Sequence, residues 1–160
     1  MDERLDVMNV VASLALFVDA LRWNDLRSIF TAEVRLDYTS LLGGEARRRA
    51  SEDLITAWQE LLPGFTHTQH LIGAVRVSVT DGFAYVEAPV MGWHIIRDET
   101  IAGRETWTVG GRYEMEIERH NGEWRIAALT LAGAWAEGNL DLAEQARERV
   151  RSGRGRQTEG

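Results

Sequence analysis

From Leu5 to Trp23 the apolar residues recur every three or four positions, the spacing of one helix face. The run stops at "RWND", where Asn24 or Asp25 can cap a second short helix, "LRSIFTAE". "VRLDY" then alternates: Val34, Leu36 and Tyr38 fall on one face, Arg35 and Asp37 on the other, which predicts a half-buried strand. "LLGGEARRR" reads as a loop, and Ser51 caps a helix through about Leu61 that Pro63 and Gly64 end.

After this break the period shortens to two. "HTQHLIGAVRVSVT" and "FAYVEAPVMGWHIIRD" read as long strands joined by the hairpin pair Asp81-Gly82, with bends at Gly73 and Gly92. On the second, Ala84, Val86, Ala88, Val90, Gly92, His94 and Ile96 share an apolar face on which His94 is the one ionisable group. "TWTVGGRYEMEIER" alternates strictly, Asn121-Gly122 makes another hairpin, and "EWRIAALTLAGAWAEG" returns as a strand. "NLDLAEQARERVR" adds a last helix and "SGRGRQTEG" reads as a frayed, disordered tail, so that residues 1–142 make the domain and 143–160 its helical end and tail. The order α-α-β-α-β-β-β-β predicts an α+β domain, with helices on the concave face of a strongly curved antiparallel sheet and a pocket between the layers.

Composition narrows what such a pocket serves. A net charge of −7 argues against nucleic acid, whose phosphates demand clustered cations. The absence of cysteine removes thiol catalysis, disulfides and thiolate metal sites, and fits a reducing compartment, the cytoplasm. The apolar run Val7–Val18 is too short, and too interrupted by Asn9, to serve as a membrane span or signal peptide. Exposed sheet surface favours a homo-oligomer, a dimer or trimer.

Four polar groups then stand out on apolar elements: Asp19, Tyr38, His70 and His94. Each needs a buried partner or a function. Asp19, near a helix C-terminus, opposes the helix dipole, a cost that an imidazole partner or a backbone group in the next turn would offset. His67 lies at odd spacing from His70, hence on the opposite strand face, and His120 sits in the turn "RHNGE". No tight ligand spacing supports a metal site, "VGGRYE" lacks the helix of a phosphate-binding loop, and no G-x-S-x-G is present. Trp23, Phe30, Phe65, Met91, Trp107 and Tyr113 are candidates for lining a cavity that suits a flat, ring-containing ligand.

The segments "VDALRWNDLRSIFTAEVRLDY", "HTQHLIG" and "GEWRIAALTLAGAWAEGNLD" together resemble the scytalone dehydratases, SnoaL-like members of the nuclear transport factor 2-like superfamily, over roughly Ala15 to Asp141. The resemblance implies a cone-shaped fold and carries the family's catalytic aspartate onto Asp19, its pocket tyrosine onto Tyr38, and its two histidines onto His70 and His94. The chain departs from that pattern at Val18, where the family has a second tyrosine, and at Gly111 and Tyr113, where it has serine and asparagine. The family's pocket-closing C-terminal segment has no counterpart in "SGRGRQTEG".

With those roles, the expected activity is a cofactor-independent dehydration of a small cyclic or aromatic hydroxy ketone. His70 serves as base and then acid, Asp19 orients one of the two imidazoles, His94 holds the network or the leaving group, and Tyr38 polarises the carbonyl. Isomerisation, cyclisation or epoxide opening could use the same groups, and a non-catalytic binding module or partner subunit is the remaining alternative.

Overall fold

The structure is a computed structural model and describes residues 2–158. Helix α1 spans Glu3–Asp19; Asp2 caps it by accepting from the Arg4 amide at 3.0 Å, and Glu3 and Asp6 favour its N-terminal dipole. Val7, Val11, Leu14 and Val18 form its buried stripe. Helix α2 is Trp23–Ile29 and strand β1 is Phe30–Asp37, so the chain becomes extended four residues before the predicted start at Val34. Pairing of Phe30 with Ile126 recruits those residues, a tertiary contact that local propensity does not register. Asn24 and Asp25 lie inside the first turn of α2 rather than capping it.

The predicted loop holds two further elements. Thr39–Leu42 forms a single helical turn, α3, and Arg47–Ala50 forms strand β2, antiparallel to β1. Three consecutive arginines mask the alternation of β2. Helix α4, Ser51–Gln59, follows, then a 3-10 turn at Leu62–Gly64. The predicted bend at Gly73 proves to be a break: β3, His67–Ile72, and β4, Arg76–Thr80, are separate strands, with Ala74 between them at φ +51°. Both pair with β5, Phe83–Ile95, β4 along its first half and β3 along its second.

Strands β6, Thr106–His120, and β7, Glu123–Gly138, complete a seven-stranded sheet among the described residues, ordered β2-β1-β7-β6-β5 with β3 and β4 side by side along β5. The pairings are antiparallel except β1 with β7, which is parallel, so the sheet is mixed and not wholly antiparallel as expected. It is curved and unclosed. Part of the bending comes from β7, which carries an extra residue between the pairs Gly110–Trp135 and Arg112–Ala132, where Gly133 takes φ +56°.

Helices α1, α2 and α4 cover the concave face, and the core joins their buried stripes to Val34, Ala84, Val86, Met115, Ile117 and Leu129 of the sheet. Among the described residues no helix is long and apolar enough to cross a membrane. Helix α5, Leu142–Arg151, packs on the 3-10 turn, and residues 152–158 after it are docked rather than frayed, while the last two residues of the expected tail lie outside the described residues. The Arg156 amide donates to the Pro63 carbonyl at 2.6 Å, Arg149 donates to the Gly64 carbonyl and pairs with Asp98, and Gly155 lies against Pro63. The sequence does not announce this docking because it rests on arginines meeting backbone carbonyls, which leave no apolar periodicity.

Candidate active site

The last residue of α1 faces the middle of β3. Asp19 accepts twice from His70: Oδ2 from the backbone amide at 2.7 Å and Oδ1 from ring Nδ1 at 2.7 Å. The pair is largely enclosed, with 22% of the Asp19 side chain and 15% of the His70 side chain exposed. Two short bonds to one carboxylate fix the imidazole's position and its tautomer: Nδ1 carries the hydrogen, which leaves Nε2 as the free lone pair of the neutral ring. The position of Asp19 at a helix C-terminus is offset from a second direction, since Nη1 of Arg156 donates to the Asp19 backbone carbonyl at 3.3 Å. Nη2 of Arg156 donates to the Leu62 carbonyl and to Thr68 Oγ1 at 3.1 and 3.2 Å, and burial lowers the guanidinium's pKa from its ordinary value.

His94 stands beside this dyad on β5. Its ring centroid is 5.3 Å from that of His70, nearly perpendicular to it, and it packs between Phe65 at 4.9 Å and Trp107 at 4.6 Å. Nδ1 of His94 donates to the Trp107 carbonyl at 3.1 Å. Burial in this aromatic setting, with His70 adding to the effect, depresses its pKa to about 4, so the ring is neutral at physiological pH with Nε2 unprotonated. Gly92 makes the two-histidine arrangement possible: a Cβ there would lie 3.0 Å from Cδ2 and Nε2 of His70 and 3.2 Å from Cε1 of His94.

His70, His94 and Gly92 line one end of a cavity of about 380 Å³. Tyr38, at the end of β1, and Tyr113, on β6, line it as well, their hydroxyls 3.2 Å apart. Burial raises the pKa of both phenols, that of Tyr38 well above the ordinary value, so both hydroxyls keep their protons and can donate. The remaining wall is mostly apolar, from Leu14 and Val18 of α1, Trp58 of α4, Val90 of β5 and Leu131 of β7. The described residues include no grouping of three or more His, Asp or Glu side chains placed to hold a metal ion.

The four residues expected to carry chemistry thus divide cleanly. His70, His94 and Tyr38 border the cavity, and Asp19 bonds to His70 from behind it. Of the six expected lining residues, Trp107 and Tyr113 are on the wall and Trp23, Phe30, Phe65 and Met91 are not. Met91 alternates with the lining residues Val90 and Gly92 and faces the other side of the sheet. Phe30 is buried against Trp58, Phe65 is buried behind His94, and Trp23 packs on the core. His67 is exposed on β3, and His120 pairs with Glu118 at an exposed turn.

Several lining residues lay outside the expectation. Leu54, Trp58 and Leu61 recur at four- and three-residue spacing on and just beyond α4, a readable signal. Leu140, Ala143 and Arg147 share that spacing at the C-terminal end, where a mostly polar helix hides it, and Arg49 of β2 had no signal.

The SnoaL-like domain profile matches residues 1–130. The chain belongs to the SnoaL-like domain family. No curated protein sequence matches it. Solved structures similar to this SnoaL-like chain include the Kfla4162 protein of Kribbella flavida, with a TM-score of 0.78 and 23% identity over 90% of this chain and 96% of that one. A protein of Novosphingobium aromaticivorans DSM 12444, provisionally named a scytalone dehydratase, has a TM-score of 0.69 and 16% identity over 86% and 87% of the two chains. A type 2 hexachlorocyclohexane dehydrochlorinase, LinA, has a TM-score of 0.65 and 14% identity over 86% and 90%. At these identities the likeness is one of fold.

Proposed function

We propose that this SnoaL-like protein is a hydro-lyase that removes water from a small, ring-containing β-hydroxy ketone by acid–base catalysis. The observation that carries the reading is the Asp19–His70 dyad, whose ring Nδ1 is tied to the carboxylate at 2.7 Å while His70 itself lines an apolar cavity. A volume of about 380 Å³ suits a ligand of one or two rings.

His70 Nε2 takes the proton α to the carbonyl, and the C–H electron pair becomes the enolate, whose oxygen accepts from the Tyr38 and Tyr113 hydroxyls. The enolate then re-forms the carbonyl as the C–O bond at the β carbon breaks. The departing hydroxide takes the proton now held on Nε2, leaving an enone, water and the original imidazole. Asp19 stabilises the transient imidazolium without itself being protonated. His94, neutral and fixed by its bond to the Trp107 carbonyl, offers Nε2 to the leaving hydroxyl. The apolar wall strengthens each of these contacts. Two neighbours carry names that denote eliminations, a dehydratase and a dehydrochlorinase, in keeping with this reaction class.

A panel of cyclic β-hydroxy ketones, followed by the rise of enone absorbance, tests the reading. Turnover falls by about 10²- to 10⁴-fold in His70→Ala and substantially in Asp19→Asn. Thermal unfolding recorded on each variant separates lost chemistry from lost fold. Undiminished turnover in folded His70→Ala, or no enone from any member of the panel, refutes it.

A further inference from the structure

The chain has 25 acidic residues against 18 basic ones, yet among the described residues no aspartate or glutamate lines the cavity, whereas two arginines, Arg49 and Arg147, do. The His94 imidazole and the two phenols on that wall are uncharged, so the fixed formal charges facing a ligand are positive.

Backbone register explains how Arg49 comes to face inward. Arg49 pairs with Val34 across β1 and β2, and directly opposed residues project to the same side of a sheet. Val34 is fully buried in the concave core, so Arg49 is on the cavity side; Arg48, opposite Arg35, is on the outer side. Most arginines of the chain sit within ion-pair distance of a carboxylate, but Arg49 has no such partner among the described residues. Arg147 has one exposed contact, to Glu144 one turn away at 3.5 Å, which a ligand can displace at little cost. Both arginines are partly exposed and share the cavity lining with the exposed Leu42 and Leu140, so they lie toward solvent, whereas His94 is buried.

We infer that the ligand carries an anionic group, a carboxylate on the ring-containing molecule, which Arg49 and Arg147 hold at the cavity mouth while the neutral reacting end lies against His70 and His94. Guanidinium forks match a carboxylate's two oxygens, and the low dielectric of the cavity wall strengthens the pairing. The placement of the reacting end rests on the function proposed above; the charge preference does not. Arg147, on the C-terminal helix, lies beyond the segment that matches the family profile, whereas Arg49, on β2, lies within it.

The test compares two aromatic probes of like shape, 2-naphthoate and neutral 2-acetonaphthone, by isothermal titration calorimetry on the full chain. Naphthoate binds about tenfold tighter or better at low salt, a difference of about 1.4 kcal/mol, and loses that advantage as sodium chloride rises. Arg49→Gln and Arg147→Gln each weaken naphthoate about five- to tenfold and leave acetonaphthone within twofold; Arg49→Lys restores part of the loss. Equal affinities for the two probes, or arginine variants that weaken both alike, overturn the inference while leaving the dehydratase reading to stand on its His70 test. Failure of both probes to bind overturns the inference together with the premise of a ring-binding cavity.

Discussion

Gly92→Ala places one methyl group between the two histidines and measures how tightly the site is built. The new carbon would sit 3.0 Å from two atoms of the His70 ring and 3.2 Å from one of His94, against about 3.5 Å or more for an ordinary carbon contact. Relief therefore requires the His70 ring to shift by about 0.5 Å, given that van der Waals separation. The two crowded atoms form the ring edge opposite Nδ1, which is bonded to Asp19 at 2.7 Å, so the ring cannot back straight away without compressing an already short bond and must slide or tilt, which bends that bond out of line. Gly92 has no positive φ, so the backbone accepts alanine. The overpacking costs about 1–3 kcal/mol, partly offset by the reduced entropy of the unfolded chain, and the protein remains folded. Catalysis suffers more than stability, because a sub-ångström misplacement of a reacting group can cost roughly 10²-fold. The assay is imidazole ¹H–¹⁵N NMR of the free protein alongside thermal unfolding and turnover. The Nδ1–H resonance of His70, shifted downfield by the carboxylate, moves upfield or broadens in the variant. An unmoved resonance with undiminished turnover would refute the close packing of both rings on Gly92.

Two further predictions follow from the same geometry. His94 is protonated with a pKa near 6.5 when unfolded but of about 4 when folded, so the unfolded state binds more protons between those values and stability falls as pH drops from 6.5 toward 4. The loss at pH 4.5 is about 2–3 kcal/mol in urea unfolding, and His94→Gln removes that part of the slope; identical slopes in the two proteins would refute the depressed pKa. Arg156→Ala strips donors from the Asp19 and Leu62 carbonyls and from Thr68, and lowers the unfolding free energy by about 1–3 kcal/mol, whereas no change would show that the C-terminal segment does not dock there.

Which parts of this fold the sequence reveals depends on whether a residue's partner is near or far along the chain. Helices α1 and α4 and strands β5 to β7 are readable because each buries one face against a broad layer, which imposes a period of 3.6 or 2 on its apolar residues. The hairpins at Asp81-Gly82 and Asn121-Gly122 declare themselves by the left-handed backbone their turns need, with φ of +47° and +77° in the first and +51° and +87° in the second. Strand β2 carries no such mark. It is a four-residue edge strand of arginines and alanine, defined by its register with β1. The parallel union of β1 with β7 is equally silent, since it joins residues about ninety positions apart and leaves each strand's own pattern unchanged.

The site obeys the same rule, with a consequence for how function is read. Asp19, His70 and His94 stand out locally because an ionisable group on an apolar face is costly unless something answers it, and here each is answered by a partner from another element. Residue size, by contrast, misleads. Phe30 and Phe65 are large and apolar and fill the core; the cavity wall mixes large residues such as Trp58, Trp107 and Tyr113 with small ones such as Ala15, Ala57 and Gly92 that leave room. Charge misleads in the opposite direction. Arg49 and Arg147 look like solvated surface in a chain rich in arginine, and register and helix docking alone turn them toward the cavity. The Asp19–His70 pair is therefore legible in one sequence because burying either group without the other is costly. The proposed selectivity of the mouth is not, because an arginine at a solvent boundary carries no local cost that would mark it.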